Sequence, residues 1–273
     1  MTKIIHQAII LSAGLGTRLQ EITQGKIPKV MVPLEGKPLL EWHIEALKKH
    51  GISEFFINLH YLPDVITEHF GDGSKFGVKI NYFLEQPEIL GTAGGIKDFE
   101  DSLGDYFFVL YGDTFYQLDY SELKNLYFSK KDAIGVGTVR KTDHPEDSDL
   151  AIVGENHEVK EFLIKPHSQD LLDRLIRSEK KESGSASISD RQQVPVRAIP
   201  RFYGMSAPYL FSKKILEYIP KNKYYEIDHN LVPDLLSKGF KYYAYQLQAG
   251  EWRKDIGTVD RYHFVENYLK NLK

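Results

Sequence analysis

Ile4-Ile5-His6-Gln7-Ala8-Ile9-Ile10 runs directly into Leu11-Ser12-Ala13-Gly14-Leu15-Gly16-Thr17-Arg18-Leu19, and Pro28-Lys29 follows shortly after. The first part is apolar and of strand length. The second is a glycine turn. A strand that feeds such a turn is a common anion site, because successive backbone N–H groups point at one place. Gly14 and Gly16 allow positive φ and leave room for a ligand against the backbone. Thr17 adds a hydroxyl, Arg18 a planar fork of donors and Lys29 a point charge. The turn is not a P-loop, since no Lys-Ser/Thr pair follows either glycine. Nor is it the dinucleotide fingerprint, since Leu19 stands where a third glycine belongs. An ordinary tight turn after a strand stays open on these residues alone.

Outward from this turn, strands and helices alternate. The apolar spacing predicts a strand over Ile4–Ser12, a helix over Pro38–His50 and a strand over Phe55–Leu59. A helix over Pro63–Phe70, a strand over Val78–Leu84 and a helix over Gly94–Leu103 follow. Then come a buried strand at Tyr106–Tyr111, a helix at Tyr120–Lys130 and a strand at Ala133–Val139. This alternation predicts an α/β, Rossmann-like, doubly wound and mostly parallel sheet. Ligands sit beyond the carboxyl ends of such strands, and both Gly14 and Asp113 fall there. The second half is less regular and β-rich. Short strands are expected at Ala151–Val153 and Val159–Ile164, with further β structure at Phe202–Leu210 and Phe240–Gln246. Helices are expected at Ile215–Ile219, Asp228–Leu236 and Val259–Leu269. Residues 178–194 are polar and read as a mobile surface insertion. One domain over 1–273 is the simplest organisation, with a core to about 140 and a second portion over 141–273.

Composition narrows the classes. The chain has 273 residues with 42% hydrophobic and 27% charged, ordinary for a globular protein. A net charge of −3 argues against a dedicated nucleic-acid binder. No cysteine is present, so disulfides and cysteine-ligated metals are excluded. The N-terminus has no continuous apolar core of signal-peptide length, and no stretch is apolar enough to span a membrane. A cytoplasmic location is the expectation. The ten histidines are scattered without a zinc-protease spacing; His43 and His69 fit helix faces as structural residues. Asp147-Ser148-Asp149 has the spacing of an NDP-sugar-dependent glycosyltransferase motif, but its polar surroundings read as a solvated loop. Tyr242-Tyr243-Ala244-Tyr245 reads as a packed strand.

Chemistry enters at two acids. Asp113 ends the buried run Phe107-Phe108-Val109-Leu110-Tyr111-Gly112, a suitable place to hold a divalent cation near a phosphate. Asp255 lies in Trp252-Arg253-Lys254-Asp255-Ile256-Gly257-Thr258, at the start of the expected terminal helix. Either could instead cap a turn or helix.

The string Leu-x-Ala-Gly-x-Gly-Thr-Arg-Leu with Pro-Lys resembles the signature of the sugar-1-phosphate nucleotidyltransferases. Gly112-Asp113 and Asp255-Ile256-Gly257-Thr258 resemble that family's two metal-binding motifs, and Phe162-Leu163-Ile164-Lys165-Pro166 its Phe-x-Glu-Lys-Pro. Leu90-Gly91-Thr92-Ala93-Gly94-Gly95 resembles the loop lying against base and ribose. The resemblance implies Mg²⁺ held by Asp113 and Asp255, with NDP-sugar and pyrophosphate formed from an NTP and a sugar 1-phosphate. It also implies a nucleotide site of Leu11, Ala13, Gly14, Gly16, Thr17, Arg18, Gly91, Thr92 and Asp113. Gln86, ahead of the glycine loop, is placed to read the base edge. Arg18, Lys29 and Lys165 would be the catalytic cations, with Lys165 and Gly204 on the sugar side. Glu226 and Asp228, ahead of Val232-Pro233, are candidate acceptors for sugar hydroxyls, with exposed acids at a helix start as the alternative.

Substrate identity is less legible. Ile164 replaces the usual Glu, and Phe202-Tyr203-Gly204 lacks the common Asn. His144–Leu150 and Lys165-Pro166-His167 resemble members that activate manno-heptose 1-phosphate, which favours GTP with mannose or manno-heptose 1-phosphate. A uridylyl- or thymidylyltransferase acting on glucose or N-acetylmuramate 1-phosphate is the alternative. A catalytically silent nucleotide- or sugar-binding regulator is the alternative class.

Overall fold

The computed structural model describes residues 4–142, 144–175 and 201–272. The expected insertion at 178–194 lies outside the described residues. In chain order the strands are β1 (Gln7–Leu11), β2 (Pro33–Leu34), β3 (Lys37–Pro38), β4 (Glu54–Leu59) and β5 (Lys79–Leu84). Then come β6 (Tyr106–Tyr111), β7 (Thr114–Gln117), β8 (Ala133–Arg140), β9 (Leu150–Val153) and β10 (Val159–Leu163). The last are β11 (Arg201–Ser212), β12 (Lys241–Gln246) and β13 (Trp252–Asp255).

Nine of these form one sheet, ordered β10-β9-β11-β6-β1-β4-β5, with β8 joined to β11 and to β12. Strands β6, β1, β4 and β5 are mutually parallel. All five residues of β1 are buried, as a strand covered on both faces requires. Long β11 runs antiparallel to β6, β8 and β9 and splices the β-rich second half onto the parallel core. Helices cover the faces. In Leu39–Lys49 the residues Leu39, Leu40, His43, Ile44 and Leu47 are buried, a helical stripe facing the sheet.

Most expected elements appear within a residue or two, and four differ in a way that matters for the site. The first strand is Gln7–Leu11, shorter than Ile4–Ser12. The helix expected at Gly94–Leu103 is Gly91–Lys97. Its glycines are inside the helix because they pack closely: a Cβ at Gly94 would lie 2.9 Å from Lys223 O, and one at Gly95 2.6 Å from both Asn58 Nδ2 and Glu85 Oε1. The region Asp228–Leu236 opens with a wide turn, Ile227–Leu231, before the helix Val232–Ser237. Asp255 does not start the terminal helix. It ends β13, which pairs with the unforeseen β7 in a separate two-stranded sheet. The helix itself is Val259–Lys270, capped by the Thr258 hydroxyl, which accepts from Arg261 N.

A second apolar cluster unites Leu19, Leu39, Phe115, Ile256, Tyr262 and Val265. It ties the end of the glycine turn to the terminal helix. Among the described residues, no helix is long and apolar enough to cross a membrane.

Candidate active site

A cavity of about 480 Å³ opens beyond the carboxyl ends of β1, β4 and β6. Its wall is the glycine turn from Leu11 through Arg18, with Lys29, Asn58, Asp113, Gly91, Thr92 and Glu226 around it. Gly16 has φ +62°, and a Cβ there would lie 3.0 Å from Lys29 Cβ. Gly14 does not have positive φ, and a Cβ there would meet nothing within 4 Å. Its lack of a side chain leaves that wall open, whereas Gly16 is required by backbone conformation.

The two acids meet at one ammonium. Lys29 Nζ lies 2.7 Å from Asp113 Oδ2 and 3.1 Å from Asp255 Oδ1. Lys29 is only 8% exposed. Pairing of β7 with β13 sets Asp255 opposite Thr114, and Ile256 N donates to Asp113 O at 3.0 Å. That small sheet therefore brings the two distant acids together. Burial works against an ionised Asp255, but the charges of Lys29 and Arg261 outweigh it and hold the carboxyl below its ordinary value. A Cβ on Gly257 would lie 3.2 Å from both Arg18 Nη2 and Lys29 Nζ. Arg18 and Lys29 thus converge at the same point.

Asp113 is held from behind. Gly112 N donates to Leu11 O at 2.8 Å, which locks the ends of β1 and β6 together. His43 is 2% exposed and its Nε2 lies 3.2 Å from Gly112 O. A carbonyl only accepts, so Nε2 carries the proton. Burial drops the His43 pKa to about 4, against the opposing pull of Gly112 O and the Asp113 charge. The ring is neutral at physiological pH.

A buried polar chain, not foreseen from sequence, joins the two loops. Ser12 N donates to Asn58 Oδ1 at 2.7 Å, and Asn58 Nδ2 donates to Glu85 Oε1 at 2.6 Å. Glu85 Oε2 accepts from Leu90 N at 2.7 Å. Glu85 is fully buried. A lone polar Asn ending the apolar run Phe55-Phe56-Ile57 was the available signal.

The sugar-side expectations separate. Glu226 lines the cavity. Its neighbour Asp228 is turned inward, with its oxygens accepting from Tyr111 and Tyr209 at 2.7 and 2.6 Å. The residue retains some exposure, but its carboxylate is enclosed. Burial raises its pKa to about 6, the two phenols pull it back, and the Asp149 charge raises it further. Tyr111, which donates to it, lines the cavity, and Asp228 does not. Lys165 and Gly204 are not on the cavity wall: Lys165 Nζ donates to Asp147 O at 3.0 Å, and Gly204 lies within β11. Gln86 is exposed beside a separate hollow with His60 and Pro87; the adjacent Glu85 takes the inward position instead. The other expected nucleotide-site residues line the cavity.

The model of the Nucleotidyl transferase family matches residues 7–271. The chain belongs to that family. It is 30% identical over 271 residues to the UTP--glucose-1-phosphate uridylyltransferase of Synechocystis sp., spanning 94% of this chain and 61% of that protein. It is 48% identical over 118 residues to the D-glycero-alpha-D-manno-heptose 1-phosphate guanylyltransferase of Campylobacter jejuni, 43% of this chain and 52% of that one. The chain thus spans less than two thirds of either relative. Among solved structures, HddC from Yersinia pseudotuberculosis superposes with TM-score 0.68 at 25% identity, covering 97% of this chain and 99% of that one. A putative glucose-1-phosphate thymidylyltransferase from Bacillus anthracis gives 0.74 at 21%, covering 99% and 97%, and shares the fold.

Proposed function

We propose that this protein is a sugar-1-phosphate nucleotidyltransferase that joins an NTP to a sugar 1-phosphate and releases pyrophosphate. The observation that carries this reading is Lys29 bridged between Asp113 and Asp255 at the wall of the glycine-turn cavity. An oxygen of the sugar phosphate attacks the α-phosphorus of the NTP in line. The bond from α-phosphorus to the bridging oxygen breaks, and pyrophosphate leaves with that electron pair. The nucleophile is already an anion at neutral pH, so no general base is needed. The obstacle is the approach of two polyanions, and the remedy is positioning and charge neutralisation.

Each role falls to a named group. Backbone N–H groups of the turn from Ala13 to Gly16 cradle the phosphates. Arg18 holds the triphosphate and the departing pyrophosphate, with Lys29 beside it. Thr92 and Gly91 flank the nucleoside. Glu226 faces the sugar, and Lys165 reaches the sugar phosphate by turning from its carbonyl partner. Asp113 and Asp255 fit a divalent cation, because they already converge within hydrogen-bond distance of one positive charge. Two carboxylates plus phosphate oxygens form a donor set suited to Mg²⁺. When bound, Mg²⁺ neutralises phosphate charge and polarises the α-phosphorus. A cytoplasmic setting and a single domain over 1–273 accord with this reading.

GTP with a manno-configured sugar 1-phosphate is the preferred pair. Its support is the 48% identity over 118 residues to a manno-heptose 1-phosphate guanylyltransferase. A uridylyltransferase is the second reading, favoured by the longer match to the Synechocystis protein. The test is a matrix of five NTPs against mannose, manno-heptose, glucose and N-acetylmuramate 1-phosphates, reading pyrophosphate. The highest kcat/KM belongs to GTP with a manno-configured partner. A clear maximum for UTP with glucose 1-phosphate replaces the preferred pair. Nucleotide binding without pyrophosphate from any pair selects the silent regulator.

A further inference from the structure

The strings around Asp149 and Lys165 lie outside the cavity wall, yet they are bonded to each other and to it. Lys165 N donates to Asp149 Oδ1 at 3.0 Å, and Lys165 Nζ to Asp147 O at 3.0 Å. His167 Nε2 lies 2.8 Å from Ser148 O. The segment from Asp147 to Asp149 is therefore the platform of the Lys165 turn. Asp147 is exposed, as a solvated loop requires, but Ser148 and Asp149 are half-buried and bonded. The other oxygen of Asp149 faces His229 Nε2 at 3.0 Å, and His229 Nδ1 faces Glu226 Oε2 at 2.9 Å. Glu226 is part of the cavity wall. A continuous chain thus runs from the Lys165 turn through Asp149 and His229 to Glu226.

Both ring nitrogens of His229 meet carboxylate oxygens, which only accept. Both must carry protons, and the ring is an imidazolium. We propose that Asp149 and the imidazolium of His229 form an ionic strap that positions Glu226 and the Lys165 turn for the sugar 1-phosphate. The strap also makes binding of that anion pH-dependent. This rests on the nucleotidyltransferase reading above.

The charges around His229 fix the sign. Asp149 faces it from the turn before β9, Glu226 from one turn earlier on its own segment, and Asp228 adjoins it. Partial burial works against its proton, but Asp149 and Glu226 outweigh burial and raise its pKa. As pH rises through that value, one nitrogen becomes a lone pair facing a carboxylate. One end of the strap opens, and the Glu226 charge is left uncompensated beside an incoming dianion. Both effects weaken sugar 1-phosphate binding first, because Glu226 faces the sugar and the glycine turn that holds the triphosphate is not part of the strap. His229 and Asp149 are positioning residues, acting through Glu226 and Lys165.

The test compares the protein with its His229→Gln and Asp149→Asn variants, measuring KM for each substrate from pH 6 to 9. KM for the sugar 1-phosphate is expected to climb on the alkaline side in the unmodified protein. In His229→Gln it is raised about tenfold, the scale of a lost charge-assisted hydrogen bond, and is flat with pH. KM for the NTP changes by less than KM for the sugar 1-phosphate. An unaltered alkaline rise in His229→Gln overturns the proposal, as does an equal loss at the nucleotide end. An independent readout is the NMR titration of the His229 ring. Its midpoint is raised in the unmodified protein and returns toward the ordinary value in Asp149→Asn. A midpoint that does not move refutes the strap, whatever the enzyme's substrate. Absence of turnover with every sugar 1-phosphate while that midpoint does move refutes the nucleotidyltransferase reading alone.

Discussion

Replacing Asn58 with Leu removes the middle of the buried chain that joins the glycine turn to the Leu90 loop. Leucine is similar in size, so the change acts mainly through hydrogen bonds. Asn58 is 3% exposed and Glu85 fully buried, so water does not readily replace what is lost. Ser12 N–H loses its acceptor, at about 1–3 kcal/mol for an unpaired buried donor. The Glu85 carboxylate loses one of its two donors, and hydrogen bonds to charged groups carry about 1.5–3 kcal/mol. Together the expected destabilisation is about 2.5–6 kcal/mol. Urea unfolding followed by fluorescence of Trp42 and Trp252 measures it. Because both effects pass through one chain, Asn58→Leu and Glu85→Leu must be non-additive, coupled by about 1.5 kcal/mol or more in a double-mutant cycle. A loss below about 1 kcal/mol, or strict additivity, would refute the reasoning that this chain holds the two loops.

Asp113→Asn abolishes turnover yet leaves the far-UV spectrum and unfolding midpoint near those of the unmodified protein; full activity in the folded variant removes Asp113 from the metal role. Gly91→Ala forces a side chain onto φ +77° and puts its Cβ 2.7 Å from Tyr225 O. It should raise KM for the nucleotide about tenfold, since a residue built into backbone contact must displace the loop; an unchanged KM contradicts the docking of that loop on Tyr225. His43 contributes a pH effect of definite sign. Its folded pKa of about 4 lies below its unfolded value, so its share of stability is complete above about 6.5 and fades as pH falls toward 4. Between pH 7 and 5 the unmodified protein should lose about 2 kcal/mol relative to His43→Asn, read by urea unfolding at both pH values. Parallel pH profiles for the two proteins would contradict a buried neutral ring.

The parallel core was legible because its strands are short continuous apolar runs bounded by glycine or polar turns. β1 and β6 declared themselves in Ala8–Leu11 and Phe107–Leu110, and both candidate loops hang from their ends. The glycine turn, Lys29, Asp113 and the Gly91 loop all meet at one cavity. Local signals failed where structure is made by distant partners. β7 and β13 are four residues each and stand only as a pair, so Asp255 read as a helix start. Gly91–Gly95 has poor helix propensity and is helical because it rests on the backbone of Tyr225, whose carbonyl accepts from Ala93 N and Gly94 N. Glu85 and Gln86 are adjacent polar residues at a strand end, and only the fold decides which turns inward. Asp149 looked solvated because its partners, Lys165 N and His229, are remote in sequence.

The central claim is that one cavity brings an NTP and a sugar 1-phosphate together for transfer. Its most direct test is ³¹P NMR of the protein incubated with Mg²⁺, GTP and manno-heptose 1-phosphate. The account predicts that the sugar phosphate and triphosphate signals fall together. Free pyrophosphate and a diphosphate diester should rise in equal amounts, with neither forming when Mg²⁺ or the sugar phosphate is left out. Pyrophosphate formed without a sugar phosphate, or no diester from any NTP and sugar 1-phosphate, would contradict it.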